Sequence, residues 1–345
     1  MTDNSAPAPH KRRPRYSGKN PRRFEDKYKE HNPGRYAETV QKVLASGKTP
    51  AGTHRPIMVA EILELLAPKP GEVAADCTLG YGGHAQEILP RLAPGGKLLG
   101  LDADPVELPK TEARLRALGF GPEIFTAHRS NFAGLPQVLA ANEITGVDLI
   151  LADLGVSSMQ IDDPARGFSV KFDGPLDMRM NPQRGRPASA FLAKINSAAL
   201  ATLLVEYADE PQAATLAPAL AGKGFTTTKS LASAIRAALP RLNKDDCDLT
   251  IRRVFQALRV AVNDEFSALD TFLRNLPACL NPGGRVAVLT FHSGEDRRVK
   301  KSLEAGLRGG FYSDIAREVL RPSPAERNAN PRSAPAKLRW ARRAG

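Results

Sequence analysis

The chain has 345 residues, of which 42% are hydrophobic, so it can bury a sizeable core. Its three cysteines are widely spaced and form no C-x-x-C pair, which argues against a disulfide framework or a zinc site. We therefore predict no bound metal and a reducing compartment, the cytoplasm. No run of about 18 apolar residues and no apolar secretory signal is present, so no membrane span is predicted.

The formal net charge of +12 is concentrated at the two ends of the chain. Residues 1–50 hold twelve Lys or Arg against five Asp or Glu, and residues 297–345 hold thirteen against four. The middle is therefore slightly acidic. This distribution favours a polyanionic partner, most simply RNA or DNA. The alternative is that the basic ends only aid solubility or bind nucleic acid without specificity.

Residues 1–50 are predicted to form a basic, disordered arm. The segment Lys11–Arg23 has seven basic residues, no acidic ones and two prolines, which makes it a poor core former. Acidic residues elsewhere in the arm disfavour a transit peptide. An arm that becomes ordered on RNA fits this composition better.

From His54 onwards the pattern indicates folded structure, beginning with a helix that ends at Leu66. Short apolar runs then alternate with helical patterns, which predicts a parallel α/β sheet. The predicted strands are Val73–Asp76, Leu98–Asp102, Ile124–Ala127, Asp148–Asp153 and Val286–Phe291. The predicted helices between them are His84–Leu92, Pro105–Leu118 and Pro136–Asn142.

A large gap separates the fourth and fifth predicted strands. After a loop rich in Gly, Pro and charge, three helical patterns predict an all-helical insertion: Ala188–Ala208, Glu210–Gly222 and Lys229–Leu239. Apolar residues at helical spacing then predict one long helix from Ile251 to Leu276. Towards the end of the chain we expect a charged helix over Glu295–Leu307 and a last edge strand from Lys337 in a loop-rich tail.

The first predicted strand ends in a glycine loop, and a helical pattern follows from His84. Strand, glycine loop and helix together bring backbone N–H groups close to a nucleotide-like cofactor. Asp102, at the end of the second strand, suits a ribose diol. The G-x-G-G spacing does not match the dinucleotide fingerprint, so the pair favours S-adenosylmethionine and disfavours a nicotinamide dehydrogenase. A plain turn is the alternative.

An irregular stretch from Asp153 to Met180 follows the fourth strand. Its phenylalanines, arginines and lysine suit an unpaired base that is stacked and held by its phosphates. A loop packed by its own side chains explains the same composition equally well. The residues alone leave both readings open.

Several motifs resemble the ribosomal small-subunit RNA cytosine-N4 methyltransferase family (RsmH). They are Asp153-Leu-Gly-Val-Ser-Ser-Met-Gln-Ile-Asp-Asp163, Arg166-Gly-Phe-Ser169, Gly174-Pro-Leu-Asp-Met-Arg-Met180, Phe255-Gln-Ala-Leu-Arg-Val-Ala-Val-Asn-Asp-Glu265 and Gly283–Lys300. The resemblance covers residues 53–345, and the motifs occur in the family's order.

The resemblance implies a class I (Rossmann-like) methyltransferase sheet that uses S-adenosylmethionine, with an all-helical insertion. It implies a methyltransferase domain over 51–163 and 247–345, and an RNA-recognising insertion over 164–246. The partner would be small-subunit ribosomal RNA or the assembling subunit, and a homodimer is left open.

Site residues follow from the resemblance together with the strand ends. The expected cofactor-binding residues are Gly82, Gly83, His84, Asp102, Phe132, Asp153 and Gln160. The expected catalytic residues are Asp153, Ser157, Ser158 and His292, with a purely structural hydrogen bond as the alternative for His292. The expected substrate-binding residues are Arg166, Phe168, Asp177 and Arg179.

The chain departs from the family pattern at several positions, including Tyr81, where the family commonly has Arg, and Gly294, where it has Leu. Most departures touch segments expected to face RNA and spare the cofactor loop. Two alternatives therefore stay open: a methyltransferase for another RNA site or base, and a non-catalytic ribosome-assembly factor that binds RNA.

Overall fold

A seven-stranded sheet organises the protein. The computed structural model describes residues 56–345, without the side chains of Ser158 and Met159. The predicted basic arm and the start of the helix predicted from His54 lie outside the described residues. The strands are Val73–Asp76 (β1), Lys97–Asp102 (β2), Phe125–Arg129 (β3), Val147–Asp153 (β4), Leu280–Thr290 (β5), Tyr312–Ile315 (β6) and Lys337–Arg343 (β7).

The strand order across the sheet is β3-β2-β1-β4-β5-β7-β6. The first five strands run parallel, and β7 is antiparallel to both β5 and β6. This open, mostly parallel sheet confirms the predicted Rossmann-like fold class. The order reverses at β1, which lies between β2 and β4, so a crevice opens at the carboxyl ends of these three strands.

Helices cover both faces of the sheet. The helices that flank or follow the strands are Val59–Leu66 (α1), Gly83–Leu92 (α2), Glu107–Ala117 (α3), Leu135–Ala141 (α4) and Ser158–Asp162 (α5). Within β4, Ile150 and Ala152 pack into one hydrophobic core, while Leu149 and Leu151 pack into another. Because successive side chains point to opposite faces, a strand that is apolar throughout requires cover on both.

Five further helices follow the loop after α5. They are Ala188–Leu192 (α6), Ser197–Ala208 (α7), Ala213–Leu220 (α8), Thr228–Ala238 (α9) and Lys244–Val262 (α10). They share a third hydrophobic core, to which Leu192, Leu204, Ile235 and Leu258 contribute. The single predicted helix over Ala188–Ala208 is two helices, because Asn196 starts a new one by accepting the N–H of Ala199.

The long helix predicted from Ile251 to Leu276 is wrong in one respect. It is divided into α10 and a second helix, Glu265–Cys279 (α11), by Asp264, which has a left-handed φ of 51°. Arg259 and Glu265 pair across this break through two hydrogen bonds of 2.8 and 2.9 Å. The apolar spacing continues through the break, which is why the pattern alone did not reveal it.

The last part of the chain contains Ser293–Arg308 (α12) and Pro324–Ala329 (α13). The strand predicted from Lys337 is present as β7, but it is not an edge strand, because β6 lies outside it. The short strand β6 falls in the tail that the sequence predicts as loop-rich. No helix among residues 56–345 is long and apolar enough to cross a membrane.

Candidate active site

Three acidic residues stand at the carboxyl ends of three neighbouring strands. Asp76 ends β1, Asp102 ends β2 and Asp153 ends β4. Because β1 pairs with both other strands, these side chains meet in one crevice. This arrangement is the centre of the candidate site.

The glycine loop after β1 is organised around Asp102. The backbone N–H of Gly80 donates to Oδ2 of Asp102 at 2.7 Å, and the N–H of Asp104 donates to Oδ1 at 2.8 Å. Gly82 has a φ of +70°, and a Cβ there would lie 3.1 Å from a methyl group of Thr111. The loop therefore needs glycine at this position for both conformation and space.

Tyr81, the departure inside this loop, is covered by Arg114 of α3. The guanidinium carbon lies 4.0 Å from the centre of the tyrosine ring, and Nη2 donates to the carbonyl oxygen of Tyr81. A guanidinium thus stacks on Tyr81 from a neighbouring helix.

His84 lies buried at the start of α2. Its Nε2 is 3.0 Å from the carbonyl oxygen of Ile57, and its Nδ1 is 3.8 Å from Oδ2 of Asp153. Burial lowers the pKa of His84, so the ring is neutral near pH 7. With a proton on Nε2 for the Ile57 carbonyl, Nδ1 is left as an acceptor facing the crevice.

The three acids have unusual proton affinities. Burial raises the pKa of Asp76 to about 6 and that of Asp102 to about 6. Burial and the nearby Glu295 carboxylate raise the pKa of Asp153 to about 7. In addition, Oδ1 of Asp153 is buried without a hydrogen-bond partner among the described residues. Such a group of destabilised carboxylates favours a bound cation or a hydrogen-bond donor.

A short helical turn after β4 adds Ser157 and Gln160. The Ser157 N–H donates to Oε1 of Gln160 at 3.0 Å, and the Gln160 N–H donates to Oγ of Ser157 at 3.2 Å. The amide nitrogen Nε2 of Gln160 donates to Asp104 at 2.8 Å. The Ser157 hydroxyl therefore caps α5, and Gln160 is held beside the acid loop after β2.

Comparison with known proteins identifies the family to which these residues belong. The sequence model of the MraW methylase family matches residues 51–344. The chain belongs to this family.

The most similar curated relatives in the comparison agree with this. The "Ribosomal RNA small subunit methyltransferase H 1" of Lachnoclostridium phytofermentans is 48% identical over 349 residues, covering 99% of this chain and 94% of that protein. The "Ribosomal RNA small subunit methyltransferase H 2" of Alkaliphilus metalliredigens is 50% identical over 339 residues, covering 96% and 97%. Among solved structures, TrmN from Thermus thermophilus matches with a TM-score of 0.40 at 16% identity, covering 83% of this chain and 48% of that one.

This MraW methylase is an enzyme whose cofactor is S-adenosylmethionine, as the sequence predicts. The crevice fits that group, because the cofactor carries a sulfonium cation and a ribose diol. Burial raises the pKa of Asp76 and Asp153, and a sulfonium cation beside these carboxyl groups would favour their ionised form. Gly82 and Gly83 belong to the loop whose Gly80 N–H binds Asp102, and His84 faces Asp153. Their individual contacts with the cofactor stay predictions.

Phe132, predicted to flank the adenine, lies on a short 3₁₀ turn that begins just after β3. Its ring is partly buried and packs edge-on against Phe272 of α11, with ring centres 5.6 Å apart. The ring is therefore held in place by the core. Its contact with the cofactor remains a prediction.

In this methylase the predicted substrate residues are engaged with their own surroundings. Arg166 donates to Asp104 at 2.8 Å, and Arg179 pairs with Asp177 through hydrogen bonds of 2.8 and 2.7 Å. Phe168 is buried in the core of the helices α6–α10. The loop is thus anchored to Asp104 and to the core of α6–α10, and both sequence readings stay open. The predicted contacts with RNA remain predictions.

His292 has a structural role at the start of α12. Its side chain accepts the backbone N–H of Glu295 at 3.4 Å, and its Nε2 lies 3.1 Å from Oε1 of the same residue. Glu295 is itself buried and accepts the N–H of Phe291. These contacts favour the structural alternative for His292. The Ser158 side chain lies outside the described atoms.

Sequence reasoning missed three residues of this site. Asp76 is visible in the sequence as the last residue of β1, but no motif marks it. Thr78 supports Asp153 by accepting its N–H at 2.6 Å, which only strand pairing reveals. Asp104 is buried and joins Gln160 to Arg166, although it lies 56 and 62 residues before them.

Proposed function

We propose that this MraW methylase transfers a methyl group to the exocyclic N4 amine of a cytosine in small-subunit ribosomal RNA. The order of the family motifs and the printed names of the relatives support this substrate. The observation that carries the proposal is Asp153, at the end of β4, whose buried Oδ1 has no hydrogen-bond partner within residues 56–345 as far as these are described. An acceptor held in that state is suited to an amine donor.

The chemistry demands alignment more than activation of the methyl group. The N4 amine is a poor nucleophile because its lone pair is conjugated into the ring, whereas S-adenosylmethionine supplies a methyl group already activated by its sulfonium. The residues of the crevice therefore have to hold the amine in line and accept hydrogen bonds from it as positive charge develops.

Three observations support Asp153 for this task. Its backbone is fixed by Thr78 at 2.6 Å, and its Oδ2 faces the neutral His84 ring at 3.8 Å. With a pKa raised to about 7, its carboxylate is a better base than an ordinary aspartate. It can accept the hydrogen bond of the amine and take up the proton that the amine loses when the N–C bond forms.

The helices after α5 are proposed to recognise the RNA. We divide the chain into a methyltransferase domain over 51–163 and 247–345 and a helical insertion over 164–246. The separate hydrophobic core that α6–α10 share supports such a unit. This core also includes Ile251, Val254 and Leu258 of α10, which lie beyond the end of the proposed insertion. The irregular loop over 166–180 joins this unit to the crevice and is the segment proposed to hold the flipped-out base.

The protein is proposed to act in the cytoplasm on the assembling small subunit. A homodimer stays a prediction from the sequence. The experiment that tests the function is mass spectrometry of ribosomal RNA nucleosides from a deletion strain. Loss of N4-methylcytidine is expected. An unchanged level would contradict the proposal, and loss of a different methylated nucleoside would favour another RNA target.

Calorimetry distinguishes a methyltransferase from the alternative, a non-catalytic assembly factor that only binds RNA. An assembly factor that only binds RNA has no need of the cofactor, so it would show no heat of binding with S-adenosylmethionine. Binding of the cofactor together with methyl transfer to small-subunit RNA in vitro is the expected result.

A further inference from the structure

Asp104 is a buried carboxylate that accepts four hydrogen bonds. Its side chain is 1% exposed. Oδ1 accepts the N–H groups of Val106 and Glu107 at 2.9 and 3.3 Å, which fixes the start of α3. Oδ2 accepts Nε2 of Gln160 and Nη1 of Arg166, both at 2.8 Å. One oxygen therefore serves the local turn, and the other reaches the loop after β4.

On one side, Asp104 continues directly into the cofactor loop. Its own N–H donates to Oδ1 of Asp102 at 2.8 Å, and the other oxygen of Asp102 receives the Gly80 N–H at 2.7 Å. Gly80, Asp102 and Asp104 thus form one continuous chain of hydrogen bonds.

On the other side, Arg166 carries the connection into the proposed substrate loop. Its second terminal nitrogen, Nη2, donates to the carbonyl oxygens of Met180 at 2.8 Å and Arg179 at 3.2 Å. The planar guanidinium serves the carboxylate with Nη1 and the carbonyl groups with Nη2, whereas an ammonium has only one nitrogen to reach both positions. Arg166 therefore ties the return segment of the loop to Asp104.

The loop is also held from the helical unit by Asn263. Its Oδ1 accepts the Met180 N–H at 2.7 Å, and its Nδ2 donates to the Met178 carbonyl at 2.7 Å. The segment around Met180 is thereby clamped between the acid loop after β2 and the end of α10.

The Asp104–Arg166 pair is ionised and well protected from water. Burial alone would raise the pKa of Asp104, but the charge of Arg166 and the Gln160 hydrogen bond lower it below its usual range. The Arg166 side chain is only 13% exposed. Removing one member of such a pair leaves the other uncompensated, so the link is costly to break.

We propose that Asp104 is a positioning residue that couples occupancy of the cofactor site to the order of the loop over 166–180 through Arg166. Cofactor contacts with Asp102 and the glycine loop restrict Asp104, and the restricted carboxylate holds Arg166 more firmly. Opening of the loop then costs more free energy when the cofactor site is filled. The inference rests on the proposed function only in taking this loop as the one that holds the RNA.

Hydrogen exchange followed by mass spectrometry tests this coupling. The full-length protein is compared with and without saturating S-adenosylhomocysteine. In the parent protein the ligand should slow exchange severalfold both in the glycine loop over 78–86 and in the loop over 166–180. In Asp104→Asn the glycine loop should still be protected, while protection of 166–180 is lost.

The chemistry of the variant explains this expectation. The asparagine oxygen can still accept the N–H groups of Val106 and Glu107, so the turn is kept. Its amide nitrogen turns a donor towards Arg166, which is itself a donor. A purely structural defect would instead weaken protection in both loops together.

A second variant makes the test independent of how well Asp104→Asn folds. Arg166→Lys keeps the positive charge, so a role limited to phosphate contact survives. It should nevertheless lose the ligand-induced protection of 166–180. Asp148→Asn is the matched control, because Asp148 accepts the Val73 N–H and the Asn281 amide, each at 2.8 Å, at the opposite end of β4.

Three results would overturn the coupling: ligand-induced protection of 166–180 retained in both variants, its absence in the parent protein, or its loss in Asp148→Asn alone. The measurement contains no RNA. An unchanged N4-methylcytidine level in the deletion strain would therefore contradict the proposed function without touching this inference.

Discussion

Nδ1 of His84, at the start of α2, lies 3.8 Å from Oδ2 of Asp153, at the end of β4. The two residues are 69 positions apart, and the pairing of β1 with β4 brings them together. The neutral imidazole presents an acceptor to the acid, so it offers little stabilisation to the ionised carboxylate. Asp153 consequently keeps a high proton affinity. Its other oxygen, Oδ1, accepts no hydrogen bond from the described residues.

Asp153→Asn should slow methyl transfer strongly and yet stabilise the cofactor-free protein. Burial raises the pKa of Asp153 from 3.8 to about 7, so between these two pH values the folded state holds a proton that the unfolded state has lost. The stability of the protein therefore falls as pH rises from about 4 to about 7, and it stays at the lower level above pH 7. Asparagine removes this cost. The variant should gain on the order of 2 kcal/mol in free energy of unfolding at pH 8 and nothing near pH 4, as measured by urea denaturation.

The rate of methyl transfer by this variant should fall about 100-fold or more. Asp148→Asn is the control: losing one hydrogen bond should cost about 1 kcal/mol of stability and leave transfer unchanged. Full methyl transfer by Asp153→Asn with normal cofactor affinity would exclude the proposed role.

The affinity for the cofactor should change with pH because the cofactor carries a positively charged sulfonium. As pH rises from about 5.5 to 8, Asp76, Asp102 and Asp153 lose protons, because their pKa values are about 6, 6 and 7. The added negative charge favours the sulfonium cation of S-adenosylmethionine over the uncharged thioether of S-adenosylhomocysteine.

Calorimetry of both ligands across this range should therefore show the affinity ratio rising with pH. Asp153→Asn should flatten the upper part of the rise, near pH 7. Parallel pH profiles for the two ligands would mean that none of these acids senses the sulfonium.

Gly82→Ala should cost more stability than the same change at Gly222. Both glycines have a left-handed φ, +70° and +71°. At Gly222 nothing lies within 4 Å of an added Cβ, so only backbone strain of about 1 kcal/mol is expected. At Gly82 the Cβ would also meet Thr111 and Leu115 at 3.1 and 3.2 Å.

We expect Gly82→Ala to lose roughly a further 1 kcal/mol of folding stability because of these contacts. It should also bind S-adenosylmethionine more weakly, whereas Gly222→Ala keeps full affinity. Thermal unfolding and calorimetry give the two quantities. Equal effects at both positions would show that the glycine loop tolerates a side chain.

His292→Asn should retain methyl transfer close to the parent rate. Asparagine is a favoured helix N-cap and can still accept the Glu295 N–H, whereas His292→Ala should lose about 1–2 kcal/mol of stability with the cap. Single-turnover kinetics and urea denaturation check these outcomes. If His292→Asn were as inactive as Asp153→Asn, the ring would take part in the chemistry.

Deletion of residues 1–50 should weaken RNA binding and reduce its dependence on salt, because phosphate contacts by Lys and Arg release counterions. Affinity for S-adenosylmethionine should not change. Filter binding at several salt concentrations measures the slope. An unaltered slope would show that the arm does not touch phosphate.

The sequence by itself determined the strands of the parallel sheet, the glycine loop and two of the three acids at the strand ends, Asp102 and Asp153. These signals are local. Each consists of a short apolar run, a turn residue and a neighbouring polar residue that lie within about ten positions of one another in the sequence. The family motifs added the methyltransferase identity and the cofactor. The division at Asp264 escaped because the apolar spacing continues through it. The strand β6, Tyr312–Ile315, escaped because its two central residues are polar, so no apolar run marks it.

Only the tertiary structure decided which side chains share the crevice and what state they are in. Asp104 meets Arg166, and Asp153 meets His84, through pairing of distant strands. Burial then sets proton affinity: it raises the pKa of Asp153 to about 7, while the charge of Arg166 lowers that of Asp104. Two aspartates that look alike in the sequence thus differ because desolvation and a neighbouring charge depend on the fold, not on the chain.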